Sequence, residues 1–336
     1  MSDILFATAT LQGILRALPQ PKLGFAAKYF QTVVESDEPE IHFDVEGTDL
    51  RMAPFVSPHV PGKLMADDGF TTKTFRPAYI KDKKRFSPQR TTTRLLGEKI
   101  GGEHTREQRL ELAIASDLAA KQLRLERSLE WMAVQALLHG KVTVTGDQYP
   151  ARLVDFGRSP DNTVVKGAGA KWGDAGVSPL KDLHTWSDAA EAPISDWYMT
   201  ADAYAIFRDS EDVTKRMELV RGTSTLTQDA VLSRDMTLMG VIDGFRIFVL
   251  PKLDVLHDDG VTRRMIPDGT VIGVADAYFV GVRHFGAIED VDHLVPGAYF
   301  VKSWVEQDPS ARYVLLQSAP LMVPYRPNAS FRATVK

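Results

Sequence analysis

Cysteine is absent from all 336 residues. That excludes disulfide frameworks, thiolate metal sites and cysteine nucleophiles, and it suits a reducing compartment. Asparagine is nearly as scarce, with only Asn162 and Asn328. No apolar run reaches the ~18 residues of a membrane helix, so no membrane span is expected. The start, Met1-Ser2-Asp3, has no basic stretch before Ile4-Leu5-Phe6; this argues against a signal peptide. A net charge of −4 lacks the basic excess of a domain built to grip nucleic acid. Catalytic spacings are missing too: there is no H-E-x-x-H, no G-x-x-x-x-G-K-[ST] and no G-x-S-x-G. The eight histidines are scattered. Gly167 to Gly173 lacks the third glycine of a dinucleotide loop. Neither catalytic residues nor a cofactor nor a metal is expected.

What the chain does have is one very long helix. Thr105 and Gln108 form a capping box, and Gly140 suits the left-handed residue past a helix end. No proline or glycine lies between. At ~1.5 Å per residue the helix is roughly 50 Å long. Leu110, Ile114, Leu118, Leu125, Leu129, Met132 and Ala136 line one stripe. Asp117, Lys121, Arg124 and Ser128 read as the polar face. Leu112, Leu123, Val134 and Leu138 make the apolar surface wider than a coiled-coil seam, so a helix lying across a sheet is expected. His139 at the helix end reads as a cation favoured by the helix dipole.

Before the helix comes a projecting ribbon, Ile41 to Phe86, with Pro54, Pro58, Pro61 and Pro77. Proline cannot donate to a ladder, so this is no central strand. Apolar residues fall on both parities of the return strand, which predicts contact on both sides by other chains. Residues 63–94 carry nine lysines and arginines against three aspartates. One reading is a solvated edge guarded by lysine; another is a docking surface for an acidic patch on a neighbour. Phe75, Tyr79, Lys81, Lys83, Lys84 and Arg85 are the candidate inter-subunit contacts.

Residues 1–40 read as an arm: a short helix Thr10 to Leu18, then Phe25 to Val34. After Gly140, strands Lys141–Thr145 and Ala151–Phe156 form a hairpin. Residues 159–176 read as a mobile loop or boundary. An α/β-like stretch follows, with helices near Pro179–Ala190 and Ala201–Arg208 and a mobile 209–228 region. Its strands are Trp197–Thr200, Phe245–Leu250, Thr270–Ala275 and Ala277–Val282. The chain closes with Ala298–Val305 and a continuous apolar run, Tyr313 to Val323, covered on both faces. A rod with a projecting ribbon points to a shell-building subunit.

Phe55-Val-Ser-Pro58, Phe75-Arg-Pro-Ala-Tyr-Ile80, Gly140-Lys-Val-Thr-Val-Thr-Gly146, Asp155-Phe-Gly-Arg-Ser159, Ile266-Pro-Asp-Gly-Thr270 and Leu316-Gln-Ser-Ala-Pro-Leu-Met322 together resemble the major capsid proteins of lambda-like tailed phages, the capsid protein E family. The order and spacing of these pieces carry the resemblance. It implies an α+β fold, the capsid fold of tailed phages and herpesviruses. Residues 1–45 would be an N-terminal arm and 46–95 the extended loop (E-loop). Residues 96–175 would be a P-domain with spine helix 105–139, residues 176–295 an A-domain, and 296–336 C-terminal P-domain strands. The resemblance implies pentamers and hexamers that close an icosahedral head in the host cytoplasm. The head encloses double-stranded DNA without sequence-specific binding. A separate scaffolding protein is implied, because only about 40 residues precede the ribbon. A portal protein and a small cementing (decoration) protein are implied partners. An encapsulin-like compartment shell is the alternative, and an α/β enzyme a more distant one.

Overall fold

The computed structural model describes residues 6–18, 24–46, 70–86, 104–146, 149–216, 218–219, 236–256, 260–291, 294–308 and 311–336. Pro54, Pro58, Pro61, the ribbon tip and Asp258-Asp259 lie outside them. Helices α1 (Thr8–Ala17) and α2 (Gly24–Tyr29) precede strands β1 (Thr32–Glu35), β2 (Ile41–Glu46), β3 (Phe70–Phe75) and β4 (Ile80–Phe86). Helix α3 (Arg106–His139) leads into the hairpin β5 (Lys141–Gly146) and β6 (Tyr149–Asp155), then β7 (Thr163–Val165). Next come α4 (Pro179–Ala189), β8 (Asp196–Thr200), α5 (Ala201–Asp209), α6 (Glu211–Arg216) and β9 (Glu218–Leu219). Strands β10 (Thr237–Ile242), β11 (Phe245–Leu250), β12 (Asp254–Leu256), β13 (Thr262–Arg264), β14 (Thr270–Val274) and β15 (Gly281–Phe285) follow. The chain ends with β16 (Ile288–Glu289), β17 (Leu294–Val295), β18 (Phe300–Glu306), β19 (Ala311–Ser318), β20 (Pro320–Pro324) and β21 (Ser330–Thr334).

The 34 residues of α3 begin and end as the sequence predicts. Gln108 N donates to Thr105 Oγ1 at 3.3 Å, and Thr105 N donates to Gln108 Oε1 at 2.9 Å. Gly140 takes φ 62°, and its N–H returns to the Ala136 carbonyl. A Cβ there would stand 2.5 Å from Arg158 Cβ, so two constraints select glycine. Ile114, Leu118 and Leu125 meet α1 (Leu11, Leu15) and β19 (Val314, Leu316) in one core cluster. Leu129, Met132 and Ala136 meet Val142, Met322 and Val323 in another.

The expected polar face is only half right. Arg124 is exposed and Ser128 half-buried, but Asp117 and Lys121 are 3% and 0% exposed. Their spacing brings ammonium and carboxylate to 2.8 Å. Lys121 Nζ also donates to the Val314 carbonyl at 2.7 Å, and Lys84 supplies Asp117 with a second cation. Burial pushes the Lys121 pKa down, and the Asp117 pairing opposes it. A buried charge persists here because both partners are buried with it.

The ribbon resolves into two sheets. Strands β2 and β3 pair from Ile41↔Phe75 to Glu46↔Phe70. Beyond Pro77 the chain joins a different ladder, where β4 is the edge of a sheet ordered β18-β19-β4. The two-sided apolar pattern is met within the subunit. Phe75, Ala78 and Ile80 pack on the main core, Phe86 joins the α1–α3 core, and Tyr79 packs beside Ile288 and Phe300.

A seven-stranded sheet, β7-β21-β14-β8-β11-β10-β9, carries the aromatic cluster Trp172, Trp186, Trp197, Phe207, Phe245 and Phe331. The turn from β10 to β11 uses left-handed Asp243 (φ 48°) and Gly244 (φ 86°), as its Asp-Gly signal predicts. Residues 159–176 are not a loose loop. Strand β7 runs parallel to β21, and buried Trp172 donates its backbone N–H to the Val335 carbonyl. The glycines there serve turns around that anchor. The strand expected at Ala277–Val282 starts later, at Gly281, after a turn. The Tyr313–Val323 run is two strands in two sheets, β19 and β20, both largely buried as expected.

Leu129 is fully buried where α3 crosses the main core. Leu129→Ala should cost about 2–5 kcal/mol, read as a lowered urea midpoint with an unchanged slope.

Candidate functional site

The segment around α2 is fastened to the rest of the chain by charge. Glu130, on the long helix, accepts from Phe25 N at 2.9 Å and Ala26 N at 2.7 Å, which are two otherwise unpaired donors at the start of α2. Gly24 is required there: φ is 31°, and a Cβ would stand 2.2 Å from Glu130 Oε1. The far end of α2 is held from β15. Arg283 donates to Ala26 O at 2.9 Å and Phe30 O at 2.6 Å. Its guanidinium also lies 3.5 Å from Glu126, which accepts from the Tyr299 hydroxyl at 3.0 Å. Burial raises the Glu126 pKa, while Arg283 and Tyr299 oppose the rise.

A second fastening lies on the seven-stranded sheet. Asp196 is fully buried and accepts from Lys28, Tyr29, Tyr198 and Arg246. Burial first, then nearby charge, raises both tyrosines, so they stay protonated donors. The arm therefore touches the long helix, β15 and β8 through ionic hydrogen bonds.

At the root of the ribbon, Arg76, Pro77, Ala78, Tyr79, Tyr149 and Arg152 line a cleft of about 250 Å³. It presents apolar walls with arginines and holds neither a carboxylate nor an imidazole. Among the described residues no group of histidines and carboxylates is placed to hold a metal, and no helix is long and apolar enough to cross a membrane. His139 is not the cation at the end of α3. Arg158 takes that place by donating to the Leu137 and Leu138 carbonyls. Burial, Arg332 and Arg158 lower the His139 pKa.

The six predicted contact residues divide. Phe75 packs inward, Tyr79 donates to Ala287 O and accepts from Glu289 N, and Lys84 pairs with Asp117. Lys81, Lys83 and Arg85 are exposed on the opposite face of β4. The arm clasp escaped sequence reasoning, since Glu130 and Phe25 lie 105 residues apart.

The site is thus a set of buried ionic hydrogen bonds that ties the first helices to the long helix and to two sheets. Residues 7–335 match the family described as Phage major capsid protein E, and the chain belongs to that family. It is similar to the major capsid protein of Enterobacteria phage P21, 28% identical over 95% of this chain and 96% of that protein. The Escherichia phage lambda major capsid protein is 29% identical over 82% of each chain. The fold matches the crystal structure of a prophage capsid protein from E. coli CFT073, with TM-score 0.75, 20% identity, and 98% and 99% coverage. A phage-related protein of Bordetella bronchiseptica matches at TM-score 0.52 and 11% identity, over 97% and 96% of the two chains. The fold is thus the α+β fold related to tailed-phage capsid proteins, and the role is structural rather than enzymatic.

Glu130→Ala leaves two buried donors unpaired, at on the order of 1–3 kcal/mol each. Limited proteolysis should then cut within the first 35 residues while the remainder stays folded. A second expectation concerns pH. His284, buried beside the Tyr325 hydroxyl at 2.9 Å, has its pKa pushed down by burial to about 4. An unfolded imidazole titrates near 6.5, so the unfolded chain takes the proton first as pH falls. The His284 contribution is complete above ~6.5 and is lost progressively toward ~4, by about 3 kcal/mol in all. His284→Gln should flatten that part of the stability–pH curve in denaturant titrations.

Proposed function

We propose that this chain builds the icosahedral head of a tailed phage, assembling as pentamers and hexamers around double-stranded DNA that it encloses without reading its sequence. The carrying observation is the family match over residues 7–335. The subunit belongs to the virion and assembles in the host cytoplasm. Residues 1–45 act as the arm, 46–95 as the extended loop, and 105–139 as the spine helix within a P-domain of 96–175 and 296–336. Residues 176–295 form the A-domain. The seven-stranded sheet supports that A-domain, and it also draws in β7 and β21 from the flanking segments. Partners are further copies of the chain, a separate scaffolding protein, a portal protein and a small cementing protein. The named phage relatives favour a DNA-filled head over a cargo-holding compartment. Electron microscopy of the chain co-expressed with scaffolding protein tests this: closed shells are expected, and persistent monomers would overturn it.

Particles should be held without covalent links. A lysine–asparagine isopeptide bond needs a free asparagine, and both asparagines form an internal clasp. Asn162 Nδ2 donates to the Asn328 carbonyl at 3.1 Å, and Asn328 Oδ1 accepts from Ser159 N at 2.7 Å. Mature particles on a denaturing gel should give a single band near 37.3 kDa; a ladder of multiples would contradict this.

A further inference from the structure

Strand β4 divides its charges cleanly between two faces. Asp82 and Lys84 turn toward the long helix, where they pair with Arg124 and Asp117. Lys81, Lys83 and Arg85 take the other face and are exposed. The register sets Arg85 beside Tyr313, and Tyr313 beside Trp304. Lys81 Nζ lies 5.1 Å from the Tyr79 ring, and Lys83 Nζ lies 5.1 Å from Tyr313 and 5.9 Å from Trp304. Among the described residues, no carboxylate stands in ion-pair range of these three cations. Lysines that merely guard an edge need no aromatic platform. Here aromatic rings hold the Lys81 and Lys83 ammonium groups in place while both side chains remain exposed.

The complementary feature lies in the turn between β1 and β2. Glu35, Asp37, Glu38 and Glu40 fall within six residues without a single cation. Asp37, Glu38 and Glu40 are exposed. The turn is built rigidly: Glu38 N donates to Ser36 Oγ at 3.1 Å, Ser36 Oγ donates to Glu40 O at 3.2 Å, and Ala287 N donates to Glu38 O at 2.9 Å. Two preformed patches of opposite sign therefore stand on one chain without pairing with each other. Their charge complementarity selects a second copy of the chain as the occupant.

We propose that the Lys81–Lys83–Arg85 face of one subunit receives the acidic 35–40 turn of a second copy, in a head-to-tail contact within the rings. The contact is heterologous, so repetition closes a ring when the rotation closes. This rests on the shell-building function above. Exposed complementary charge acts mainly on association rate and is screened by salt, with a Debye length of about 8 Å at physiological ionic strength.

The test uses two full-length charge-reversed chains. One carries K81E, K83E and R85E; the other carries D37K, E38K and E40K. All substituted side chains are exposed, and circular dichroism checks folding. Assembly is followed by light scattering with the scaffolding protein present. Each reversed chain alone should assemble at least about tenfold more slowly than wild type. Mixing the two should raise the rate well above that of either alone, because each supplies the charge that the other lacks; a six-membered ring can alternate fully, whereas a five-membered ring keeps one mismatched contact. Recovery by mixing requires a contact between chains, since repulsion inside one chain would persist. If either chain fails to fold, K81Q, K83Q and R85Q replace the first arm; that variant should lose the wild-type dependence of assembly rate on salt. Wild-type rates from the single reversals, or no recovery on mixing, would overturn the contact. A wild-type chain that never assembles would instead sink the shell-building function itself.

Discussion

The Glu130 carboxylate is the interaction on which the rest of the arrangement depends. It sits 5% exposed on the long helix, where an unpaired charge is very costly. The two N–H groups at the start of α2 offset that cost, and the carboxylate in turn satisfies donors that no intrahelical carbonyl reaches. Each side needs the other. Arg283 performs the converse service at the far end of α2 by covering carbonyls. The arm is thus positioned by polar groups with directional demands, and apolar packing of Phe25, Tyr29 and Phe30 fills the space between. Hydrophobic contact alone tolerates sliding; paired ionic hydrogen bonds fix register.

The same logic joins the two halves of the molecule. Helix α2 reaches Asp196 on β8 through Lys28 and Tyr29, while the chain's last strand lies inside the seven-stranded sheet. Phe331 on that strand stacks on Trp186 at 5.5 Å between ring centroids. The sheet therefore cannot complete itself before β21 is in place. Such non-local closure couples the sheet to the long-helix layer, because β20 and β21 are separated only by the short segment that holds Asn328.

Local signals were legible in the sequence. Thr105 with Gln108, Gly140, the Asp243-Gly244 turn and the 141–156 hairpin all act within a few residues of themselves, and the structure uses them as read. Of the expected ribbon only β2, β3 and β4 are described, and their division between two sheets was not legible. Asp117 and Lys121 misled because an i,i+4 ion pair has the same spacing whether it faces water or a β-sheet. Only the Val314 carbonyl, 193 residues from Lys121, distinguishes the cases. The Glu130, Arg283 and Asp196 contacts likewise join residues far apart in sequence. The family resemblance supplied the role that such distant contacts serve.

If, as proposed, a shell of this subunit closes without covalent links, the placement of its charges is suited to that. Carboxylates that fasten the arm and the long helix are buried, where salt screens them weakly. Lys81, Lys83 and Arg85, like Asp37, Glu38 and Glu40, remain outside, where pairing is weak and screened. Strong internal pairs give a rigid subunit, so little ordering entropy is lost at each contact. Weak external pairs of the proposed kind would allow a misplaced subunit to leave before neighbours lock it. Reversible contacts between rigid units favour correct closure, and strength then accumulates over many copies rather than within any one bond.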